Sequence, residues 1–371
     1  MADKNIDIWN ESVYGLAFKG READIKAPVR YIDETSKIII FTLPNRRGGA
    51  ENFLKEKGFN VVEVREVENN CDSIQNELSR YTNNDVVIIL DSDKYWKANH
   101  TIFENYGGSV QLFSAMKIFY ETFKPSYKEV YDLLDDDLSR EIFTEVLNVR
   151  FKIKPTQALL PYFDDNQYFT LPQMNMLDSE SVFVDCGACT GDTVEKFINR
   201  CNGYFGKIYA FEPSKRELNA FSVRLKRIIA EWAMDESRVQ IVKAGVGSEN
   251  VDAIMSYGFI DDRVGSLRVS YDENLLTDSE DKIKIVSLDT MLKNQRVDFI
   301  KADIEGSEMD MLHGAENIIK TQKPRLAITL YHKLTDYYEI PLYLKSLVPE
   351  YHMKIRHHST TFMETVLYCY T

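Results

Sequence analysis

The sequence has no apolar run long enough to cross a membrane. Its longest, such as Ile38–Phe41 and Val86–Leu90, are strand-sized, far below the roughly 18 residues a span requires. No apolar core follows Met1-Ala2-Asp3-Lys4-Asn5, so a standard secretory leader is not expected. Cysteine is scarce and odd in number: Cys71, Cys186, Cys189, Cys201 and Cys369 are all that 371 residues contain. That excludes a disulfide scaffold and fits a reducing, cytoplasmic setting. Positive charge is in deficit, with 45 Lys and Arg against 58 Asp and Glu and a net charge of −13. So acidic a chain binds polyanions poorly, which argues against nucleic acid and anionic membranes as partners. A small substrate carrying phosphate stays open. There is no short-period repeat and no low-complexity segment. The dinucleotide fingerprint G-x-G-x-x-G and the phosphate loop G-x-x-x-x-G-K-[ST] are both missing.

What is present is a chain that can bury a core, 44% hydrophobic and 28% charged. Its pattern falls into three regions, expected at 1–109, 110–170 and 171–371. In the first, the Ile- and Val-rich runs Ile38–Phe41, Val61–Val64 and Val86–Leu90 alternate with polar helical stretches, as in a small parallel α/β domain. The second is helical, punctuated by Pro125, Pro155 and Pro161. In the third, five strand-like runs alternate with helices: Val182–Asp185, Lys207–Phe211, Val239–Val242, Val297–Lys301 and Leu326–Leu330. Two final strands, Tyr351–Arg356 and Glu364–Tyr370, form a hairpin. The expected fold is a Rossmann-like, mostly parallel α/β sheet with one antiparallel strand at its end. Gly247–Lys282 interrupts the alternation with strand-like pieces at Ala253–Tyr257 and Ser266–Val269. Such an insertion either shapes a substrate site or is a plain surface hairpin.

The first strand of the third region runs into Asp185-Cys186-Gly187-Ala188-Cys189-Thr190-Gly191-Asp192-Thr193. Glycines there let the backbone turn sharply and a ligand approach, and the next helix aims its positive N-terminus at that ligand. Glu212 ends the next strand, 21 residues beyond Gly191, where a carboxylate accepts both hydroxyls of a ribose. The spacing G-x-x-x-G gives a pyrophosphate no close seat. Asp185 and Asp192 repel phosphate and suit a cationic ligand. S-adenosylmethionine, a nucleoside bearing a sulfonium, therefore fits better than NAD or ATP. Pro213 follows Glu212, and Ser214 with Glu217 reads as a capping box that starts a helix.

The fourth strand ends in Lys301-Ala302-Asp303-Ile304-Glu305-Gly306-Ser307-Glu308, with Ser307 and Asp310 reading as a helix start. Asp303 is placed to orient an acceptor or take its proton, and His332, after the fifth strand, is a second base candidate. Asp303, Glu305 and His332 together suit a hard or borderline metal ion, yet no metal is expected, since the loop already accounts for two of them. Cys186-x-x-Cys189 has no second pair and reads as two small side chains packed in a turn. Tyr120-x-x-x-Lys124 lies far from any nucleotide loop and is treated as chance. Leu43-Pro44-Asn45-Arg46-Arg47-Gly48-Gly49 suits an anion, but a structural role is favoured.

In order along the chain, Val184–Ala188 with Gly191-Asp192-Thr193, Phe211-Glu212-Pro213, Asp298–Glu308, Leu312-His313-Gly314-Ala315, Tyr331-His332-Lys333 and Glu364–Tyr368 resemble the FkbM family of S-adenosylmethionine-dependent methyltransferases. Asp137–Arg140 and Gln167-Tyr168-Phe169 resemble the segment preceding the catalytic domain in some members. The resemblance implies a class I methyltransferase fold and O-methylation of a sugar or small metabolite. It carries over Asp185, Gly187, Gly191 and Glu212 as cofactor contacts, and Asp303 as a site residue. Ala188, Asp192, Thr193, Pro213, Ser214 and Gly245 complete the expected cofactor set; Asp303, His332 and Glu305 form the expected catalytic set. The expected partner is a small-molecule or glycan acceptor, and self-association stays open. The competing readings are an NAD-dependent sugar-modifying enzyme, against which the missing fingerprint counts, and a nucleoside-binding module without turnover.

Overall fold

A computed structural model describes residues 36–44, 51, 54–55, 58–81, 86–91, 99, 101–103, 106, 108–112, 117–151, 154–258, 266–270 and 281–371. The segment Asn45–Gly49, with its two arginines, lies outside them. These residues form two compact units, one drawn from positions up to 125 with Phe151, the other from 126–150 and 154 onward.

The first unit holds strands β1 (Lys37–Thr42), β2 (Val61–Glu66), β3 (Val86–Leu90) and β4 (Ser109–Leu112), with helix α1 (Cys71–Leu78) between β2 and β3. The strands are all parallel, in the order β2-β1-β3-β4. Alternate residues of β1 and β3 point to opposite faces. Ile39, Phe41, Ile88 and Leu90 pack with Ile74 and Leu78 of α1, while Ile38, Ile40, Val87 and Ile89 pack with Leu54. Both faces are buried, hence the unbroken apolar runs. Asn70 caps α1, its side chain accepting from Ser73 N at 2.9 Å.

The second unit begins within α2 (Lys117–Leu133), from Ser126 on, and continues through α3 (Asp137–Arg150). Its sheet alternates strands and helices: β5 (Val182–Cys186), α4 (Asp192–Arg200), β6 (Lys207–Phe211), α5 (Lys215–Trp232) and β7 (Val239–Val242). The insertion then contributes β8 (Gly245–Val246), β9 (Val251–Gly258), β10 (Ser266–Ser270) and β11 (Asp281–Val286), a separate sheet of order β10-β9-β11-β8. The main sheet resumes with α6 (Leu288–Met291), β12 (Phe299–Ala302), α7 (Glu308–His313), α8 (Glu316–Gln322), β13 (Arg325–Thr329), α9 (Asp336–Leu347), β14 (His352–His357) and β15 (Thr365–Tyr370).

The seven main strands lie in the order β14-β15-β13-β12-β5-β6-β7. Only β15 runs against the rest, slotted between β13 and β14. The antiparallel strand is thus last in sequence but not at the sheet's edge. Helix α4 shows why these elements dock. Val194, Phe197 and Ile198 lie on one helical face and are fully buried. Phe197 stacks on Phe183 of β5, ring centres 4.6 Å apart, and Phe183 meets Phe299 of β12 at 5.2 Å. The chain leaves β5 toward β6 on one side and returns through β12 on the other, so the sheet switches direction between β5 and β12. Open α/β sheets hold their ligands at the carboxyl ends of such a pair. Among the described residues no helix is long and apolar enough to cross a membrane.

Helix α3 covers the outer strand. Ser139 Oγ accepts Ile355 N of β14 at 3.0 Å, and Asp136 pairs with Arg356 at 2.8 Å. Burial alone would raise the Asp136 pKa, but Arg356 and Ser139 overcome it and hold the carboxyl well below its ordinary value. A depressed folded pKa adds stability above the unfolded value of roughly 3.9 and loses it as pH falls. Asp136→Asn should therefore melt at a lower temperature than the parent at pH 7. The gap should close below about pH 4, as read by circular-dichroism melts across a pH series.

Candidate active site

The site starts from two charges in register. Lys301 of β12 and Asp185 of β5 are paired residues on adjacent parallel strands. Their side chains meet at 3.0 Å, with Asp185 wholly buried. The ammonium also donates to Gly187 O at 2.7 Å, tying β12 to the turn after β5. Burial works against the Lys301 charge, but Asp185 and Asp303 outweigh it and raise its pKa. Asp185 thus lies beneath the loop, its charge met by Lys301.

The loop above is set by glycine geometry at two points. Gly187 has φ +80°, and a Cβ there would lie 2.0 Å from Asp303 O, so the loops after β5 and β12 touch only because Gly187 has no side chain. Gly191 has φ +79°, and its missing Cβ leaves room for the ring of Phe221, 2.1 Å from where it would stand. The sequence suggests that these glycines admit a ligand; the structure shows them admitting protein. Gly187 N and Ala188 N both donate to Phe211 O at 3.0 Å, fastening the loop to the end of β6. Asp192 and Thr193 open α4, Asp192 half-buried and Thr193 buried.

Glu212 follows β6 directly and is 7% exposed. Its two oxygens divide their work: Oε2 accepts Cys189 N at 2.9 Å and Oε1 accepts Ser214 N at 2.8 Å. Burial raises its pKa while the two N–H donors oppose the rise. Each oxygen keeps a lone pair for a further donor. Pro213 is half-buried and Ser214 buried. Ser214 is the N-cap of α5, but the expected capping box is not made: its hydroxyl donates to the Glu217 carboxylate and makes no cap bond to the backbone. Gly245 is placed in the insertion sheet, paired with Ile285.

Asp303, the residue after β12, is the node of the site. Tyr168 donates to its Oδ2 and Tyr331 to its Oδ1, both at 2.9 Å. Both phenols have raised pKa values, first through burial and then through the Asp303 charge, so they stay protonated donors. Tyr168 also lies under Lys301, whose Nζ is 5.3 Å from the ring centre. Its backbone has φ 70°, strained for a residue with a side chain, and its N–H donates to Tyr368 at 3.0 Å. His332 faces carboxylates on both sides. Nδ1 is 3.0 Å from Glu308 Oε1, and Nε2 lies 3.6 Å from Glu305 and 3.7 Å from Asp303. Burial disfavours its charge, but Glu305, Glu308 and Asp303 prevail and raise its pKa to about 10. Glu305 is half exposed at φ 56°. The helix α7 starts where expected, with Ser307 at its N-cap, but no side-chain cap bond is made there; Glu308 instead accepts Ile304 N at 2.9 Å, ahead of the helix.

The structure therefore gathers Asp303, Glu305 and His332 at one edge, with the loop 185–193 and Glu212 at the neighbouring strands. Tyr168, Tyr331, Lys301, Glu308 and Glu364 join them without having been assigned roles. Glu364 accepts from Gln167, and its raised pKa, due first to burial, also feels Asp303. The signal for Tyr168 and Tyr331 was the set of short segments around them, which resembled family segments.

An open sheet of this order, with a glycine turn after β5 and acidic residues ending β6 and β12, defines the class I methyltransferases. Residues 185–357 match the methyltransferase FkbM domain family, and this part of the chain is an FkbM-family methyltransferase domain. A crystal structure of a methyltransferase FkbM from Methylobacillus flagellatus is 19% identical. Its match covers 97% of this chain and 99% of that one, with a TM-score of 0.59. An rRNA methylase from Streptococcus thermophilus is 17% identical over 52% of this chain and 87% of its own, with a TM-score of 0.32. No curated protein matches the sequence.

Removing one partner of a buried ion pair leaves an uncompensated charge, at a typical loss of about 3–5 kcal/mol. Lys301→Met should destabilise the second unit by about that amount, and adding Asp185→Asn should recover part of it. Denaturant titration of the two single variants and the double variant measures the coupling. Independent, additive losses would show that the two charges do not pair.

Proposed function

We propose that the chain is an S-adenosylmethionine-dependent O-methyltransferase acting on a hydroxyl of a sugar or small metabolite. The observation that carries the cofactor is Glu212. It is buried at the end of β6, held by two backbone N–H groups, with a lone pair free on each oxygen for the two hydroxyls of a ribose. An acceptor-only carboxylate in that place suits a diol. The residues that would hold the cofactor are Glu212, the loop Gly187–Gly191 and the first turn of α4 with Asp192 and Thr193. When bound, S-adenosylmethionine supplies an activated methyl group, which an acceptor oxygen takes as its proton leaves.

Asp303 serves that acceptor. It is partly exposed, whereas both nitrogens of His332 already face carboxylates. Tyr168 and Tyr331 fix both carboxylate oxygens, so Asp303 meets an incoming hydroxyl in one orientation and takes its proton. His332 holds its place among Asp303, Glu305 and Glu308. The edge is acidic, with Asp192, Asp303, Glu305 and Glu364 outnumbering its cations, and this supports a neutral acceptor over a phosphorylated one or a nucleic acid. All five cysteines are free thiols, which supports a cytoplasmic setting.

Hydrogen bonds to a charged acceptor contribute about 1.5–3 kcal/mol each, so Glu212→Ala should weaken S-adenosylmethionine binding by about 2–4 kcal/mol, allowing for non-additivity. Calorimetric titration with S-adenosylmethionine, S-adenosylhomocysteine and NAD checks this. Unchanged affinity in the variant, or a preference for NAD, would contradict the assignment. Asp303→Asn should bind the cofactor with parental affinity and turn over an acceptor about 10²–10⁴-fold more slowly. Full turnover in that variant would remove Asp303 from the reaction.

A further inference from the structure

We infer that Asp303, Glu305 and His332 form a binding site for a divalent first-row cation such as Mn²⁺ or Zn²⁺, with Glu308 fixing the histidine. The inference rests on the reading of this edge as the acceptor side of the site. One ligand atom each from Asp303, Glu308 and His332 already lies within 4.8 Å of the others. The decisive feature is the use His332 makes of its two nitrogens. Its side chain is only 10% exposed, and neither Nδ1 nor Nε2 makes a hydrogen bond among the described residues. Nε2 points between Glu305 Oε2 at 3.6 Å and Asp303 Oδ1 at 3.7 Å.

Those separations are too long for hydrogen bonds. They suit two ligands of one cation, which with bonds of about 2.0–2.2 Å stand roughly 3–4 Å apart. Nδ1, on the far side of the ring, lies 3.0 Å from the buried Glu308. A carboxylate on the second nitrogen is how metal-bound histidines are oriented. Glu308 is in turn fixed by Ile304 N at 2.9 Å and Thr329 Oγ1 at 3.2 Å. Glu305 is 52% exposed, so its side chain has room to close on an ion. Two carboxylates and an imidazole are a mixed donor set, matched to Mn²⁺ or Zn²⁺ better than to the all-oxygen preference of Ca²⁺ or Mg²⁺. A cation here would hold an acceptor oxygen beside Asp303 and acidify its hydroxyl, which eases the loss of its proton.

The test uses the full chain, stripped with a chelator and titrated with Mn²⁺ by electron paramagnetic resonance and with Zn²⁺ by calorimetry, without cofactor. One site per chain is expected. Asp303→Asn and His332→Gln should abolish it, and Glu308→Gln should weaken it about 10–100-fold. If His332→Gln melts before the titration can be read, the exposed Glu305→Gln carries the test and should bind at least tenfold more weakly. No saturable binding by the parent chain, or binding unchanged in Asp303→Asn and Glu305→Gln, would overturn the inference. A parallel titration with S-adenosylmethionine separates the two claims. Cofactor binding without metal binding ends the cation site and leaves the methyltransferase reading intact. Metal binding without cofactor binding does the reverse.

Discussion

The buried pair of Lys301 and Asp185 is the interaction on which the site depends. Two charges sit side by side at the point where the sheet reverses its winding, removed from water, and neither is tolerable alone. Because they are register partners, β5 and β12 are not free to slip against each other. Lys301 then reaches the carbonyl of Gly187 and so sets the turn that leads into α4. Its other side is covered by the ring of Tyr168, which hands its hydroxyl to Asp303. A contact made for stability thus positions both the cofactor loop and the residue proposed to act on the acceptor.

The carboxylates at this edge show how surroundings assign work to like groups. Asp185 is sealed and paired. Glu212 is nearly sealed but holds backbone N–H groups, which leaves it able to accept more. Asp303 is partly open and steadied by two phenols. Glu305 stands in solvent on a left-handed backbone. Glu308 is buried behind His332. A strained backbone recurs at Tyr168, Cys189, Glu305 and Glu364, all of them at or beside the site. Strain of this kind persists only where the surrounding contacts over-determine it, and the Tyr368 hydroxyl on the Tyr168 N–H is one such contact.

Much of the sheet was legible in the sequence because parallel strands buried on both faces carry short apolar runs, as in Val182–Val184 of β5, Ile208–Phe211 of β6, Phe299-Ile300 of β12 and Leu326–Ile328 of β13. The insertion was legible as strands for the same local reason, and Ala253–Tyr257 and Ser266–Val269 fall within β9 and β10. The loop after β5 and Glu212 were legible because glycine and a carboxylate at strand ends have few other uses. Tyr168 was not, because it comes to Asp303 from 135 residues earlier in the chain and no local pattern carries that distance. The pairing of Lys301 with Asp185 was hidden for a related reason: register is a property of two strands, and neither contains it alone. The packing of the Phe221 ring against Gly191 was hidden as well, since a missing Cβ serves an aromatic ring as readily as a ligand.

On the proposed function, one sheet edge holds a nucleoside at Glu212 and presents the reacting end beside Asp303. A structure of the chain with S-adenosylhomocysteine tests it most directly. Both ribose hydroxyls are expected on the Glu212 carboxylate, with the sulfur on the Asp303 side of the loop Gly187–Gly191. A ribose bound elsewhere, with Glu212 holding only Cys189 and Ser214, would contradict it.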